Sequence, residues 1–79
     1  MFQSINLIKA PNGVYYQTGN RVRVLKKNGS EYIGIIEKIN ADGFLLATAP
    51  DDKDVINFEA IEKMRIALPG ENFLERWNF

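Results

Sequence analysis

Polar and apolar residues alternate in the segment RVRVLK, residues 21–26. A period of two residues is typical of a β-strand with one buried face. Asn28-Gly29 follows, and an Asn-Gly pair between two apolar segments is the strongest short-range signal for a β-hairpin. The pattern predicts a strand and a hairpin, in which Val22 and Val24 face the core and Arg21 and Arg23 face water or a neighbouring molecule.

Two more strands are predicted to continue this meander. Residues 30–40 are rich in β-branched and aromatic side chains, and Gly34 lies near their middle, where a glycine usually marks a bulge or a sharp bend. Ala41-Asp42-Gly43 predicts a turn, and FLLATA, residues 44–49, predicts the next strand. A long strand bent at its centre can belong to two sheets, as a very small barrel requires.

The pattern after residue 49 predicts two further strands. Residues 50–54 are expected to form a solvated loop tip, and residues 55–58 a short strand. Residues 59–62 are expected to form a tight helical turn or a bend, and residues 63–68 a final alternating strand that Pro69-Gly70 ends. Five short strands in mostly meander order predict a small, strongly bent β-barrel.

The two ends of the chain carry weaker patterns. Residues 5–9 suit either a short helix or a strand, and Pro11-Asn12-Gly13 predicts a turn before a strand at residues 14–17. Three apolar residues of the tail are spaced as on one face of a helix whose first turn includes Glu71, where the helix dipole favours an acidic side chain. They are Phe73, Leu74 and Trp77.

The length and composition limit the classes of function. Seventy-nine residues suffice for one domain, which divides into an N-terminal extension (1–18), a barrel core (19–68) and a C-terminal tail (69–79). The chain contains neither cysteine nor histidine, the side chains most often recruited as nucleophiles, general bases and zinc ligands. We therefore predict a protein that is not an enzyme, with no catalytic residue, metal site or cofactor. No apolar stretch is long enough to cross a membrane, so a cytoplasmic location without membrane association is the expectation.

Charge is unevenly distributed along a chain whose formal net charge is zero. Residues 1–40 carry six basic and two acidic side chains, whereas residues 41–79 carry four basic and eight acidic ones. Such asymmetry is consistent with a nucleic-acid-binding face, and also with copies of the chain that pack basic face to acidic face. The second interpretation is favoured, because strong binders of nucleic acid usually carry a net positive charge.

Four segments follow one another in an order typical of a known family: LKKNG (25–29), YIGIIEKIN with its central glycine (32–40), GFLLA (43–47) and INFEAIEKMRI (56–66). Through them, the chain from Gly19 to Ala67 resembles the Sm and Sm-like (LSm) family, which includes the bacterial RNA chaperone Hfq. The resemblance implies a mainly β fold, a five-stranded SH3-like barrel with short terminal extensions, and a ring that binds RNA without catalysis. The small size of the chain also suits a member encoded by a phage.

The resemblance implies a homo-oligomeric ring of roughly five to seven copies. In the family, the fourth strand of one copy pairs with the fifth strand of the next. Independently of the family, an uncovered outer strand is a row of unpaired hydrogen-bonding groups that favours a partner. On this alignment the outer strands are residues 55–58 and 63–68. The predicted interface residues are Val55, Ile56, Asn57, Phe58, Met64, Arg65 and Ile66.

The resemblance also implies a single-stranded RNA site, formed where the second and third barrel strands meet and at the turn before the last strand. By position, its residues are Asn40, Asp42, Phe44, Phe58 and Glu59. Asn40 suits its position, because asparagine and aspartate both hydrogen bond to backbone amides in turns. The other positions depart from the family: Asp42 replaces a stacking side chain, Phe44 an asparagine, and Phe58-Glu59 a basic pair.

Alternatives stay open for these residues and for the whole molecule. Phe58 suits packing at a subunit interface as well as stacking on a base. Three tyrosines suit cross-strand packing as well as base stacking: Tyr15, Tyr16 and Tyr32. The whole molecule suits a structural or protein-interaction ring that has lost its RNA site, or a monomeric SH3-like module that binds peptides.

Overall fold

Two antiparallel sheets make up the part of the chain that the computed structural model describes, residues 7–9 and 13–73. The smaller sheet is a hairpin of β1 (Leu7–Lys9) and β2 (Tyr15–Gln17), so the N-terminal pattern corresponds to a strand. A 3-10 helical turn, Phe58–Ala60, precedes the last strand of the larger sheet. The larger sheet consists of β3 (Arg21–Lys26), β4 (Glu31–Ile39), β5 (Gly43–Ala49), β6 (Asp52–Asn57) and β7 (Ile61–Ile66).

The strand order in the larger sheet is β6-β5-β4-β3-β7, and each neighbouring pair is antiparallel. The hairpin at Asn28-Gly29 forms as predicted, since Lys26 N–H donates to the Ser30 carbonyl over 2.8 Å. Strands β6 and β7 lie at opposite edges, yet only the helical turn joins them. A flat sheet would separate its outer strands by about 19 Å, whereas the short connection spans at most about 14 Å. The sheet must therefore curl, and the prediction of a mainly β, antiparallel chain is confirmed.

The core lies between the curled sheet and the N-terminal hairpin. Val22 and Val24 are fully buried, as predicted, together with Phe44 and Leu46 of β5. Tyr16 of β2 joins this core, and its hydroxyl donates a hydrogen bond of 3.1 Å to the Met64 carbonyl of β7. The hairpin is thereby attached to the larger sheet by apolar packing and by one buried polar contact.

The irregularity of β4 is displaced from the predicted position. The register with β5 shifts between Ile36 and Lys38 rather than at Gly34. At Gly34, the backbone of β5 passes so close that an added Cβ would collide with the Ala47 carbonyl oxygen. The glycine is thus required by a close approach of two backbones, and the bulge falls three residues later, at Glu37.

Three further predictions are wrong. Strand β6 begins at Asp52, so the loop before it comprises only Pro50 and Asp51 instead of residues 50–54. Arg23 faces neither water nor a neighbouring molecule, because it is 1% exposed and is covered by residues that follow β7. In the tail, Glu71 and Phe73 are not helical, whereas Leu74 and Trp77 lie outside the described residues, as do residues 5–6 and 10–12.

No helix within residues 7–9 and 13–73 is both long enough and apolar enough to cross a membrane.

Candidate functional site

A surface pocket of about 380 Å³ lies where the β4–β5 turn meets the helical turn after β6. Asp42, Phe58 and Glu59, three of the five residues predicted to contact RNA, line this pocket. Ala41 and Asn57 complete its lining. The fold thus brings together two segments of the predicted site that are about fifteen residues apart in sequence.

The turn on one side of the pocket is built by Asn40, as predicted. The Asn40 Oδ1 atom accepts hydrogen bonds from the backbone N–H groups of Asp42 (2.8 Å) and Gly43 (2.9 Å). The Phe58 N–H donates to the Asp42 carbonyl over 2.9 Å, which attaches this turn to the helical turn. A Cβ at Gly43 would collide with the Ile56 carbonyl oxygen, so only glycine allows this approach. Asn40 therefore shapes the pocket through the backbone.

Phe44 and Phe58 differ in their relation to the pocket. Phe44 is fully buried and belongs to the core, so its ring lies beneath the pocket rather than on its surface. Phe58 is half-buried and packs on Phe44, with 6.1 Å between the ring centroids and an interplanar angle of 47°. This tilted packing is favourable for aromatic pairs. Phe58 is consequently the aromatic side chain that lines the pocket, and Phe44 supports it.

The electrostatic character of the pocket is acidic. Asp42 and Glu59 are both exposed, and no lysine or arginine occurs among the described residues that line the pocket. Carboxylates accept hydrogen bonds and repel phosphate, whereas the Asn57 amide both donates and accepts. The lining therefore favours a ligand group that presents hydrogen-bond donors and a flat apolar face.

Strand β6 presents an uncovered backbone edge next to the pocket. The Phe58 N–H donates to the Asp42 carbonyl, and in an antiparallel pair every second residue of a strand bonds to the neighbouring strand. The backbone groups of Ile56 and Asp54 therefore point toward β5. The N–H and C=O groups of Val55 then point away from the sheet, and no described residue pairs with them. The Val55 side chain is also 63% exposed. This edge combines free hydrogen-bonding groups with an exposed apolar side chain.

Strand β7 has a different outer edge. The Ala67 N–H donates to the Arg21 carbonyl over 2.9 Å, so alternation directs the Met64 backbone away from β3. The Tyr16 hydroxyl binds the Met64 carbonyl at this outer edge. Ile66, on the same strand, is 47% exposed. The apolar surface of β7 therefore lies near its C-terminal end, beyond the contact with the hairpin.

Three residues predicted for an oligomer interface use their side chains within the protomer. Ile56 and Met64 are core residues, 0% and 1% exposed. Arg65 binds Glu71 through its guanidinium group. Val55, Asn57 and Ile66 are exposed on the outer strands.

Sequence reasoning missed a buried ion cluster on the face of β3 opposite the core. The Glu71 carboxylate accepts hydrogen bonds from Arg23 Nη1 (2.8 Å), from the Arg65 guanidinium and from the Leu68 N–H (2.8 Å). Arg23 also donates to Glu31 Oε2 over 2.7 Å. The available signal was the alternation of Arg21 and Arg23 with valines in RVRVLK, because residues two positions apart share one face of a strand. The acidic partner comes from a distant segment, which no local pattern indicates.

The contacts in this cluster shift the pKa values of Glu71 and Arg23. Hydrogen bonds from Arg65 lower the pKa of Glu71 to about 2, assisted by the Leu68 N–H and by Arg23, and they outweigh burial, which acts in the opposite direction. Burial alone would lower the pKa of Arg23, but the hydrogen bonds and charges of Glu31 and Glu71 raise it above its ordinary value. Glu71 and Arg23 are therefore both charged at neutral pH.

The described residues form no group of three or more acidic side chains that could hold a metal ion. Comparison with protein-family models, with curated proteins and with solved structures finds no match.

Proposed function

We propose that the chain is an SH3-like barrel protein of the Sm-like type, which assembles into a homo-oligomeric ring and binds single-stranded RNA without catalysis. The strand order β6-β5-β4-β3-β7, with a short helical turn joining the two outer strands, carries this proposal. In chain order, β6 and β7 are the fourth and fifth strands of the larger sheet, the strands that pair between copies in the family that the sequence resembles.

The outer strands support ring formation. Val55 on β6 and Ile66 on β7 expose apolar surface, and β6 also has backbone groups without a partner among the described residues. Pairing β6 of one copy with β7 of the next satisfies those groups and covers both side chains. The contact is head-to-tail, and such a contact closes into a ring when the rotation between copies permits it. The interface then comprises Val55 and Asn57 of one copy and Ile66 of the next, whereas Phe58 stays available to the pocket.

The pocket supports RNA contact at the base rather than at the phosphate. Phe58 offers an aromatic face on which a single-stranded base can stack. Asp42 and Glu59 repel phosphate, so binding by this site alone is weak. Asn40 and Phe44 contribute indirectly, Asn40 by holding the turn and Phe44 by supporting the Phe58 ring.

Native mass spectrometry tests the ring. A species of roughly five to seven copies is the expected result. A monomer of 9.0 kDa that persists at all concentrations would contradict the ring and favour the monomeric SH3-like alternative.

Fluorescence anisotropy with labelled oligo-U and oligo-A, at low and at moderate salt, tests the RNA contact. Binding that persists or strengthens from low to moderate salt is expected, because salt screens the repulsion between the acidic lining and the phosphates. Absence of binding at both salt concentrations would remove RNA from the proposal.

A ring that does not bind RNA is the second candidate, and the acidic lining of the pocket favours it. This candidate requires the oligomer in the mass spectrum together with the absence of binding in the anisotropy experiment. The two measurements therefore separate all three functions.

A further inference from the structure

The lining of the pocket differs from that of a site for a phosphate or for a carbonyl-rich base. Ionised carboxylates such as those of Asp42 and Glu59 only accept hydrogen bonds. Phe58 supplies a flat apolar surface in the same lining. A base that fits this lining must direct hydrogen-bond donors toward the carboxylates while one face lies against the ring.

The four RNA bases present different Watson–Crick edges to a carboxylate. Guanine presents two adjacent donors, N1–H and the N2 amino group, which match the two oxygens of one carboxylate in a bidentate pair. Uracil presents a single N3–H between two carbonyl oxygens, and these oxygens are repelled by the carboxylate. Adenine and cytosine each place an amino group beside a ring nitrogen that accepts. Guanine is therefore the best match.

We infer that the pocket at Asp42, Phe58 and Glu59 selects guanine over uracil in single-stranded RNA, an inference that rests on the proposed RNA-binding function. The guanine face stacks on Phe58, and an acidic side chain of the lining accepts the N1–H and N2–H bonds. The same acidic charges repel the phosphates of the RNA backbone, so the total affinity for RNA stays low. Selectivity comes from the contacts with the base.

Anisotropy titrations with three oligouridines that differ only in one central base test this inference. The central base is guanine, inosine or uracil, and inosine lacks the N2 amino group of guanine. The guanine oligomer is expected to bind roughly 5- to 100-fold more tightly than the uracil oligomer, as for a good bidentate pair, and the inosine oligomer to lie between them.

The possible results separate the inference from the function on which it rests. Equal affinities, or tighter binding of the uracil oligomer, would overturn the selectivity and leave RNA binding in place. Absence of binding by all three oligomers at both low and moderate salt would overturn the proposed function itself.

Charge-neutral variants locate the selectivity in the pocket. The double variant Asp42→Asn/Glu59→Gln is expected to reduce the guanine-to-uracil ratio to near one, while binding of the uracil oligomer is unchanged or stronger because two repelling charges are gone. Both substitutions keep the backbone contacts that attach the two turns. The control Asp51→Asn removes an acidic charge in the loop before β6, outside the pocket, and should leave the ratio unchanged. An unchanged ratio in a double variant of native mass and native circular dichroism would overturn the inference.

Discussion

At the scale of single residues, Glu71 joins the segment after β7 to the face of the larger sheet. Its carboxylate contacts two arginines on neighbouring strands, Arg23 on β3 and Arg65 on β7. The side chains of Glu71 and Arg23 are 0% and 1% exposed. Buried charges are tolerated only when they are paired and hydrogen bonded, and removing this one acid takes a charged partner from both arginines.

Glu71→Gln is expected to lower the free energy of unfolding by about 3 kcal/mol. This value lies at the lower end for a broken buried ion pair, because Arg23 keeps Glu31 as a partner. Urea denaturation followed by circular dichroism measures the change. Glu62→Gln, an exposed acid on β7, is the matched control and should change the value by less than about 0.5 kcal/mol. Equal effects of the two variants would show that the cluster does not stabilise the fold.

The same residue predicts a pH dependence. The pKa of Glu71 is about 2 in the folded chain, against an ordinary value of 4.5. The contribution of Glu71 to the free energy of unfolding is therefore fully present above pH 4.5. It is lost as the pH falls toward 2, because in this range the unfolded chain binds a proton at Glu71 more readily than the folded chain does. Urea denaturation at several pH values should show the wild type losing stability more steeply than Glu71→Gln in this window. Parallel pH profiles would contradict the assignment.

The Phe58 ring is expected to contribute to RNA binding separately from its packing on Phe44. Phe58→Leu keeps an apolar side chain on Phe44 but removes the stacking surface, which should weaken binding of guanine-containing RNA by about 1–3 kcal/mol. Lys53→Ala, on the exposed side of β6, is the control and should weaken binding less. Anisotropy titration gives both values, and a smaller effect at Phe58 than at Lys53 would argue against the pocket.

At the scale of secondary-structure elements, the outer strands are not equivalent. The outer backbone groups of Val55 on β6 have no described partner, whereas the Tyr16 hydroxyl occupies the Met64 carbonyl on β7. An uncovered edge such as that of β6 promotes association unless something blocks it.

Val55→Pro tests the role of the β6 edge in assembly. The Val55 N–H points away from β5, so proline removes a donor to a neighbouring copy without removing a hydrogen bond inside the sheet. We expect native mass spectrometry to show smaller species for this variant, and the intact oligomer for Val55→Thr, which keeps the N–H and the branched shape. Loss of the oligomer in both variants would indicate that the apolar side chain, rather than the backbone edge, drives assembly.

At the scale of the whole molecule, the proposed ring would add to the stability of a small domain. A domain of this length buries a modest fraction of its surface on folding, so its stability alone is low. Exposed apolar side chains on β6 and β7 add a reason for copies to associate. Assembly and folding should then be coupled.

This coupling predicts a melting temperature that rises with protein concentration, because an oligomer is stabilised by mass action. Differential scanning calorimetry over a hundredfold range of concentration measures it. The Val55→Pro variant is the control and should lose most of the dependence. A melting temperature that is independent of concentration in the wild type would contradict coupled assembly.

Much of the larger sheet could be predicted from local pattern. The alternation of RVRVLK specified the buried valines, and Asn28-Gly29 specified the hairpin, because a two-residue period and a tight turn are properties of adjacent residues. The capping role of Asn40 was predictable for the same reason. Strand lengths were less predictable. Strand β6 starts in an acidic stretch whose composition is typical of a loop, because pairing with β5 overrides the low strand propensity of aspartate.

The sequence by itself determined the meander, its turns and the side chains that enter the core, since these depend on neighbours along the chain. Tertiary structure alone decided that Arg23 is buried against Glu71, that the bulge lies at Glu37, and that Phe44 lies beneath Phe58 in the pocket. Each of these depends on segments that are far apart in sequence. The interactions that stabilise these features form only when the sheet curls and brings such segments into contact.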